Sequence, residues 1–167
     1  MKNTDASPPR GLNILLADDD RDDYLLFKEA LEELQLQTAL TIVHDGEQLM
    51  KLLTNLPAGR HGNSNEVFDV LFLDLNMPRK NGFACLEEIK RNDKLKSLPV
   101  IIFSTFYDQS VAGLLYKKGA QHYIGKPANF YQLRKIIEEA LLLVSEKNSL
   151  QPPKEKFQLR SLKANVL

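Results

Sequence analysis

Four apolar residues give way to three acids in the stretch Ile14-Leu15-Leu16-Ala17-Asp18-Asp19-Asp20. A short apolar run without polar alternation is typical of a strand covered on both faces of its sheet. Asp22 and Asp23 come next, and apolar residues at helical spacing follow over residues 24–34. Acids in the first turn complement the positive end of a helix dipole, so Asp20, Asp22 and Asp23 are interpreted as helix-capping residues. The stretch predicts a buried strand, an acidic turn and an amphipathic helix.

The same alternation repeats along the chain. Further apolar runs predict strands at residues 39–43, 67–73, 100–103 and 122–125, with helical patterns between them and a last helix over residues 133–144. Five strands that alternate with five helices favour one parallel sheet with helices on both faces. At this chain length we expect an α/β, flavodoxin-like fold, a three-layer sandwich with strand order 2-1-3-4-5.

The chain is long enough for one such domain. We expect a flexible N-terminus over residues 1–10, the domain itself over residues 11–146, and a C-terminal extension over residues 147–167. The extension is polar and contains two consecutive prolines, so it is expected either to be flexible or to dock on the domain. Residues 55–66 are rich in Pro, Gly, Asn and Ser and predict an irregular loop before the third strand.

The composition argues against several classes of protein. Basic and acidic side chains number 22 each, so no net charge steers the chain to nucleic acid or to a membrane surface. No stretch reaches the roughly 20 apolar residues of a membrane span, and the polar N-terminus lacks the apolar core of a secretory signal. Cys85 is the single cysteine, which fits a reducing compartment. We therefore expect a cytoplasmic protein that binds neither nucleic acid nor membrane.

Polar side chains stand at the predicted carboxyl ends of four strands: Asp18 and Asp19, Asp74, Ser104, and Lys126. Ligands of open parallel sheets bind at this edge, and the first and third strands are neighbours in the expected order. Three carboxylates that meet there would repel one another, and a divalent cation relieves that repulsion. Mg²⁺ prefers oxygen ligands and also binds phosphate oxygens. The acids together with Lys126 therefore predict phosphoryl chemistry.

Four motifs resemble those of response-regulator receiver domains. They are Ile14-Leu15-Leu16-Ala17-Asp18-Asp19-Asp20, Phe72-Leu73-Asp74-Leu75-Asn76-Met77-Pro78 with Asn81-Gly82, Pro99-Val100-Ile101-Ile102-Phe103-Ser104-Thr105, and Tyr123-Ile124-Gly125-Lys126-Pro127. Their order and spacing agree over roughly residues 13–144. The resemblance implies a receiver domain at residues 11–146 and a chemotaxis-regulator-like, single-domain response regulator. The long loop and the C-terminal extension resemble stand-alone regulators associated with bacteriophytochrome kinases.

The resemblance implies a Mg²⁺ site and a phosphoacceptor. Asp74 would accept the phosphoryl group and form an acyl phosphate. Asp19 and Asp74 would bind Mg²⁺ directly, and the backbone carbonyl of Asn76 would be the third protein ligand. Asp18 would act mostly through a metal-bound water.

The resemblance also implies three residues that respond to the phosphoryl group. Lys126 would pair with Asp74 at rest and with a phosphoryl oxygen afterwards. Ser104 and Tyr123 would be the switch residues: Ser104 would move to bond the phosphoryl group, and Tyr123 would rotate inward behind it.

The implied partners are proteins. A sensor histidine kinase or a histidine phosphotransfer protein would supply the phosphoryl group. No output domain is expected after residue 144, so the signal would pass by contact with a downstream protein. The expected surface combines the fourth and fifth helices with the fifth strand, and the resemblance allows a homodimer through it.

Two alternatives stay open on the sequence. A haloacid-dehalogenase-type phosphatase also uses an aspartyl nucleophile and Mg²⁺, but it needs a second Asp two residues later, where this chain has Asn76. A degenerate receiver that acts as a constitutive binding module would lack an acid or the lysine of the site, and none is missing. The chain is therefore not expected to be an enzyme, beyond assisting its own phosphorylation and dephosphorylation.

Overall fold

The computed structural model of the protein describes residues 11–56, 67–146 and 151–160. In chain order the elements are β1 (Leu12–Ala17), α1 (Arg21–Glu33), β2 (Thr38–Val43), α2 (Gly46–Thr54), β3 (Val70–Leu73), α3 (Gly82–Arg91), β4 (Val100–Ser104), α4 (Gln109–Lys117), β5 (His122–Gly125), α5 (Phe130–Ser145), a 3₁₀ turn (Lys154–Lys156) and β6 (Gln158–Leu159). The predicted flexible N-terminus and most of the predicted loop lie outside the described residues, as does part of the C-terminal extension. Those expectations stay predictions.

The strands form one sheet in the order β2-β1-β3-β4-β5-β6, and each neighbouring pair is parallel. The predicted flavodoxin-like fold and the order 2-1-3-4-5 are confirmed. The predicted number of strands is wrong, because a sixth strand extends the sheet beyond β5. In the centre of the sheet Ala17 of β1 lies opposite Leu73 of β3, so the residues that follow these two strands emerge at the same edge.

Helices cover both faces of the sheet and bury its side chains in two clusters. Leu15 of β1 belongs to the cluster under α2, α3 and α4, whereas Leu16 belongs to the cluster under α1 and α5. The central strands are buried on both faces, which explains their unbroken apolar runs. Phe27, in the middle of α1, packs edge-to-face on Phe72 and Phe103, with ring centroids 4.9 and 5.5 Å apart, and these contacts hold α1 against the sheet.

Each of the five α-helices begins with an Asp or Asn whose side chain accepts hydrogen bonds from first-turn N–H groups: Asp20, Asp45, Asn81, Asp108 and Asn129. Such caps satisfy backbone donors that have no partner within the helix. They define where each strand-to-helix connection turns, and these connections surround the carboxyl edge of the sheet. Within the described residues, no helix has the length and apolar character needed to cross a bilayer.

Residues 151–160, here called the C-terminal strap, fold back onto β5. Leu159 pairs with Ile124, and the backbone N–H of Tyr123 donates to the carbonyl of Phe157 over 3.0 Å. The Phe157 ring is 3% exposed and lies edge-on to Tyr116 of α4, with centroids 5.3 Å apart. The sequence did not predict β6 because a two-residue strand has no recognisable apolar run.

Two polar side chains, those of Gln151 and Tyr116, tie the start of the C-terminal strap to α4. Gln151 Nε2 donates to the carbonyls of Tyr116 and Ala120, both at 2.7 Å, and the Tyr116 hydroxyl donates to the carbonyl of Pro152 over 2.9 Å. The two bonds from Gln151 satisfy backbone acceptors at and just after the C-terminus of α4, and the bond from Tyr116 satisfies one in the strap. The described part of the predicted extension is thus packed against the domain.

Removal of the Phe157 ring is expected to destabilise the protein. We expect Phe157→Ala to lower the free energy of unfolding in urea by about 2–4 kcal/mol, because the substitution leaves a cavity between the C-terminal strap and α4. Hydrogen exchange at the Tyr123 amide should also accelerate, because its acceptor is held by the strap. The exposed neighbour Lys156→Ala is the control and should change the stability by less than about 0.5 kcal/mol. Equal stability of the two variants would contradict the packing described here.

Candidate functional site

Three carboxylates converge at the carboxyl edge of the central strands. Asp18 and Asp19 follow β1 and Asp74 follows β3, and the backbone N–H of Asp74 donates to the carbonyl of Ala17 over 3.0 Å. Each acid offers one oxygen, and these oxygens all lie within 4.8 Å of one another. Asp18 is 0% exposed and Asp74 is 6% exposed, whereas Asp19 faces solvent. The parallel register of β1 and β3 is what brings the acids together.

Burial disfavours the charged forms of the two inner acids. It raises the pKa of Asp18 from its ordinary value of 3.8 to about 6, although Lys126 acts in the opposite direction. Burial also raises the pKa of Asp74, again against the nearby Lys126 ammonium. Ionising buried carboxylates that lie close to one another costs free energy, and additional positive charge would lower that cost.

Lys126 brings one positive charge to the acids from the end of β5. Its Nζ lies 2.8 Å from Asp18 Oδ2, 2.8 Å from Asp23 Oδ2 and 3.4 Å from Asp74 Oδ2. Burial opposes its charge, but the hydrogen bonds to Asp18 and Asp23 outweigh this and raise the pKa of Lys126. The Lys126 backbone N–H donates to the Ser104 carbonyl over 2.9 Å, which continues the pairing of β5 with β4 and aims the side chain at the site.

Lys126 has more acidic partners than the sequence suggested. The resemblance implied a pairing with Asp74 at rest, which is present at 3.4 Å, and two shorter contacts go to Asp18 and Asp23. Asp23 was interpreted only as a helix-capping residue. No sequence signal marked this contact, because an acid in the first turn of α1 complements the helix dipole whether or not a lysine faces it.

Ser104 and Tyr123 are both connected to the backbone of Phe106. The Phe106 N–H donates to Ser104 Oγ over 3.3 Å, and the Tyr123 hydroxyl donates to the Phe106 carbonyl. Ser104 and Tyr123 are each 0% exposed, and burial raises the pKa of Tyr123 to about 12. The Tyr123 ring also contacts Tyr107, with centroids 5.6 Å apart. Tyr123 thus already occupies an inward position, and Phe106 is a connecting residue that sequence reasoning missed.

The loop after Asp74 is shaped by close backbone contacts. The Asn76 N–H points to Asp74 Oδ1 at 3.4 Å, and Asn76 itself is exposed. A Cβ atom built on Gly82 would lie 2.2 Å from the Asp74 carbonyl oxygen, so only glycine fits there. The Asn81-Gly82 pair in the sequence therefore allows α3 to begin directly beneath the acid at the end of β3.

The cluster suits a hard divalent cation. Asp18, Asp19 and Asp74 offer only oxygen ligands, and they are the one set of three or more His, Cys, Asp or Glu side chains with such spacing in the described part of the chain. Mg²⁺ and Mn²⁺ accept carboxylate oxygens, and a cation would favour the ionised forms that burial disfavours. The structure thus brings the predicted Asp18, Asp19, Asp74 and Lys126 together, and their individual roles stay predictions.

Comparisons with known proteins agree with this site. A family model described as the response regulator receiver domain matches residues 14–138. Response regulator Rcp1 of Synechocystis sp. is 31% identical over 134 residues, which is 80% of this chain and 88% of that protein. The Mn²⁺-bound crystal structure of Rcp1 has a TM-score of 0.69 and 30% identity and covers 85% of this chain and 99% of its own. The phosphorylated cyanobacterial phytochrome response regulator RcpA has a TM-score of 0.71 and 30% identity, with coverages of 86% and 100%.

The family match covers the region that carries all four motifs. It gives no support to the phosphatase alternative, and it does not favour a degenerate receiver. Receiver domains are signalling proteins that are phosphorylated by histidine kinases, contact other proteins and hold a divalent cation at an acidic pocket. The chain belongs to the response-regulator receiver domains, is similar to the phytochrome-associated members among them, and is a response regulator of a two-component phosphorelay.

Proposed function

We propose that the protein accepts a phosphoryl group on Asp74 with the help of Mg²⁺. Asp19, Asp74 and the backbone carbonyl of Asn76 would hold the cation, and Asp18 would act through a water molecule. The single observation that carries the proposal is the meeting of three carboxylates within 4.8 Å of one another, with the Lys126 ammonium 3.4 Å from Asp74. Rcp1, a relative, has a Mn²⁺-bound structure, and Mg²⁺ suits the same oxygen ligands.

The transfer needs positioning and charge neutralisation more than a base. A carboxylate oxygen of Asp74 attacks the phosphorus of a phosphohistidine donor and forms an O–P bond. The P–N bond breaks, its electron pair stays on the imidazole, and the imidazole takes up a proton. Lys126 donates to an oxygen of the transferred group and offsets its charge. When bound, Mg²⁺ supplies further neutralisation of the phosphoryl oxygens.

The chain would promote only its own phosphorylation and dephosphorylation. The residue two positions after Asp74 is Asn76, an amide that cannot act as a general acid or base. A second carboxylic acid at that position is what an aspartyl phosphatase would use. This absence supports the role of a phosphoacceptor rather than that of a phosphatase acting on other substrates.

Ser104 and Tyr123 are proposed as the switch residues. The Ser104 hydroxyl would bond the phosphoryl group, and the inward Tyr123 would report that change. The connection through Phe106 supports this assignment, because one residue bonds both side chains. A local hydrogen bond of this kind can bias a segment that has two arrangements.

Signal output is proposed to use α4 and α5 together with β5, in contact with a downstream protein or a second copy of the chain. Leu114 of α4 and Leu142 of α5 are 46% and 52% exposed, and large exposed apolar side chains favour contact with proteins. The C-terminal strap covers the outer edge of β5, so β5 would act through the strap paired to it, and a partner would touch α4, α5 and the strap. We also propose a cytoplasmic location, consistent with Cys85 as a free, buried thiol.

Asp74→Asn is expected to abolish phosphorylation. Incubation of the wild type with acetyl phosphate and Mg²⁺ should give a base-labile adduct of one phosphoryl group, detected by mass spectrometry, because an acyl phosphate forms on Asp74. Chelation of the cation should slow the reaction strongly. Asp93→Asn, an exposed acid away from the site, is the matched control and should react like the wild type. An adduct that persists in Asp74→Asn would refute Asp74 as the acceptor.

Asp18→Asn is expected to stabilise the cation-free protein at pH 7. The pKa of Asp18 is raised to about 6 in the folded state, so the folded state binds more protons than the unfolded state between pH 3.8 and 6. Ionised Asp18 therefore costs stability above pH 6, by up to about 3 kcal/mol, and the cost is relieved as the pH falls through 6. Urea unfolding with EDTA measures the gain.

Added Mg²⁺ should raise the stability of the wild type more than it raises that of Asp18→Asn, because the cation offsets the charge of the Asp18 carboxylate, which the variant lacks. Glu139→Gln, at an exposed position on α5, is the control and should alter neither the stability of the cation-free protein nor the gain on adding Mg²⁺. A loss of stability in cation-free Asp18→Asn would contradict the desolvation of Asp18 described above.

Dimerisation is expected to depend on the face formed by α4 and α5. Gel filtration of the wild type with Mg²⁺ and beryllium fluoride, a phosphoryl analogue, should give the elution volume of a dimer. Leu114→Glu should shift that elution toward the monomer, because a buried charge without a partner opposes association. Leu25→Glu, at an exposed apolar position on α1, controls for the change of surface charge. A monomer with and without the analogue would overturn the dimer proposal.

A further inference from the structure

The Lys126 ammonium is bonded to two carboxylates in addition to that of Asp74. It has three N–H donors, and three carboxylates lie within bonding range, those of Asp18 and Asp23 at 2.8 Å and that of Asp74 at 3.4 Å. No donor is left over at rest. To bond a phosphoryl oxygen on Asp74, the ammonium must therefore release one of its present acceptors.

The three acceptors differ in how readily they can be released. The Asp18 side chain is 0% exposed and also accepts the Asp20 N–H over 2.9 Å, so without Lys126 it would be a buried charge with less compensation. Asp74 would itself carry the phosphoryl group. The Asp23 side chain is 30% exposed, so water can take the place of the ammonium at small cost. Asp23 is therefore the acceptor that Lys126 can leave.

We propose that Asp23 is a positioning residue that holds Lys126 in the resting state and competes with the phosphoryl group for it. This inference rests on the proposed roles of Asp74 and Lys126. By stabilising the resting arrangement, Asp23 lowers the affinity of the site for a phosphoryl group. Lys126 then moves to the phosphoryl group only if that interaction is stronger than its interaction with Asp23.

A purely structural role for Asp23 is the competing explanation. An acid in the first turn of α1 stabilises the helix through its dipole, and that role was the interpretation from the sequence. Asp22 lies in the same turn, is exposed, and is not among the three carboxylates bonded to Lys126. Asp22→Asn therefore removes a similar charge and a similar dipole interaction without removing a lysine partner, and it is the matched control.

The first test is the affinity for beryllium fluoride at saturating Mg²⁺, measured by isothermal titration calorimetry. Asp23→Asn should bind the analogue about fivefold more tightly than the wild type, because a partly exposed ion pair contributes on that order. Asp22→Asn should stay within about twofold of the wild type. Asp23→Glu keeps a carboxylate on the same helix face and should return the affinity toward the wild-type value, which loss of a structural residue would not do.

The second test is independent of phosphoryl binding. In ¹⁵N-lysine NMR spectra of the Mg²⁺-free protein, the Lys126 Nζ signal should shift in Asp23→Asn and stay unchanged in Asp22→Asn. In the wild type, beryllium fluoride with Mg²⁺ should shift the same signal as the lysine leaves Asp23. An Nζ signal that is identical in wild type and Asp23→Asn would overturn the inference.

The outcomes separate this inference from the proposed function. A wild type that binds no beryllium fluoride and forms no adduct with acetyl phosphate would overturn both. A wild type that binds the analogue, with Asp23→Asn no tighter than Asp22→Asn, would overturn the role of Asp23 alone and leave Asp74 as the phosphoacceptor.

Discussion

The rest of the structure depends on two buried carboxylates that share one ammonium group. Asp18 and Asp74 lie almost without solvent at the edge of the sheet, where an ionised acid costs several kcal/mol unless it is paired. Lys126 supplies the only cation bonded to them among the described residues. One positive charge does not balance the acids, and that imbalance leaves the site receptive to a divalent cation.

The fold makes this arrangement by aligning strand ends. Parallel pairing of β1 with β3 places Asp18 and Asp74 side by side. Pairing of β4 with β5 sets Gly125 opposite Ser104, so Lys126, the next residue, emerges at the same edge. The strands are held by cores on both faces, so their ends cannot shift separately. The Phe103 ring lies 5.4 Å from Lys126 Nζ and supports the ammonium from below. A rigid sheet thus holds charges that would separate if they stood on flexible loops.

The site residues that could be predicted are those that directly follow a strand, because the strand pattern can be read from the sequence. Asp18, Asp74 and Lys126 directly follow apolar runs, so strand order was enough to bring them to one edge. Asp23 could not be predicted in the same way, because a first-turn acid satisfies the helix dipole whether or not a lysine faces it. β6 escaped prediction for another reason: its stability comes from Phe157 against Tyr116 and from backbone bonds to β5, and neither is encoded as a local pattern. What was missed depends on contacts between distant segments.

Tyr123 joins these parts of the molecule. Its hydroxyl bonds the Phe106 carbonyl beside the site, and its backbone N–H bonds the Phe157 carbonyl of the C-terminal strap. Because β5 is paired on both sides, by β4 and by β6, its main chain is fixed and offers little freedom for a shift. The parts free to respond are therefore the Tyr123 side chain and the loop that carries Phe106. In the proposed switch, a change at Ser104 would pass to Phe106 and Tyr123 through that loop, while the C-terminal strap holds the Tyr123 backbone through its N–H.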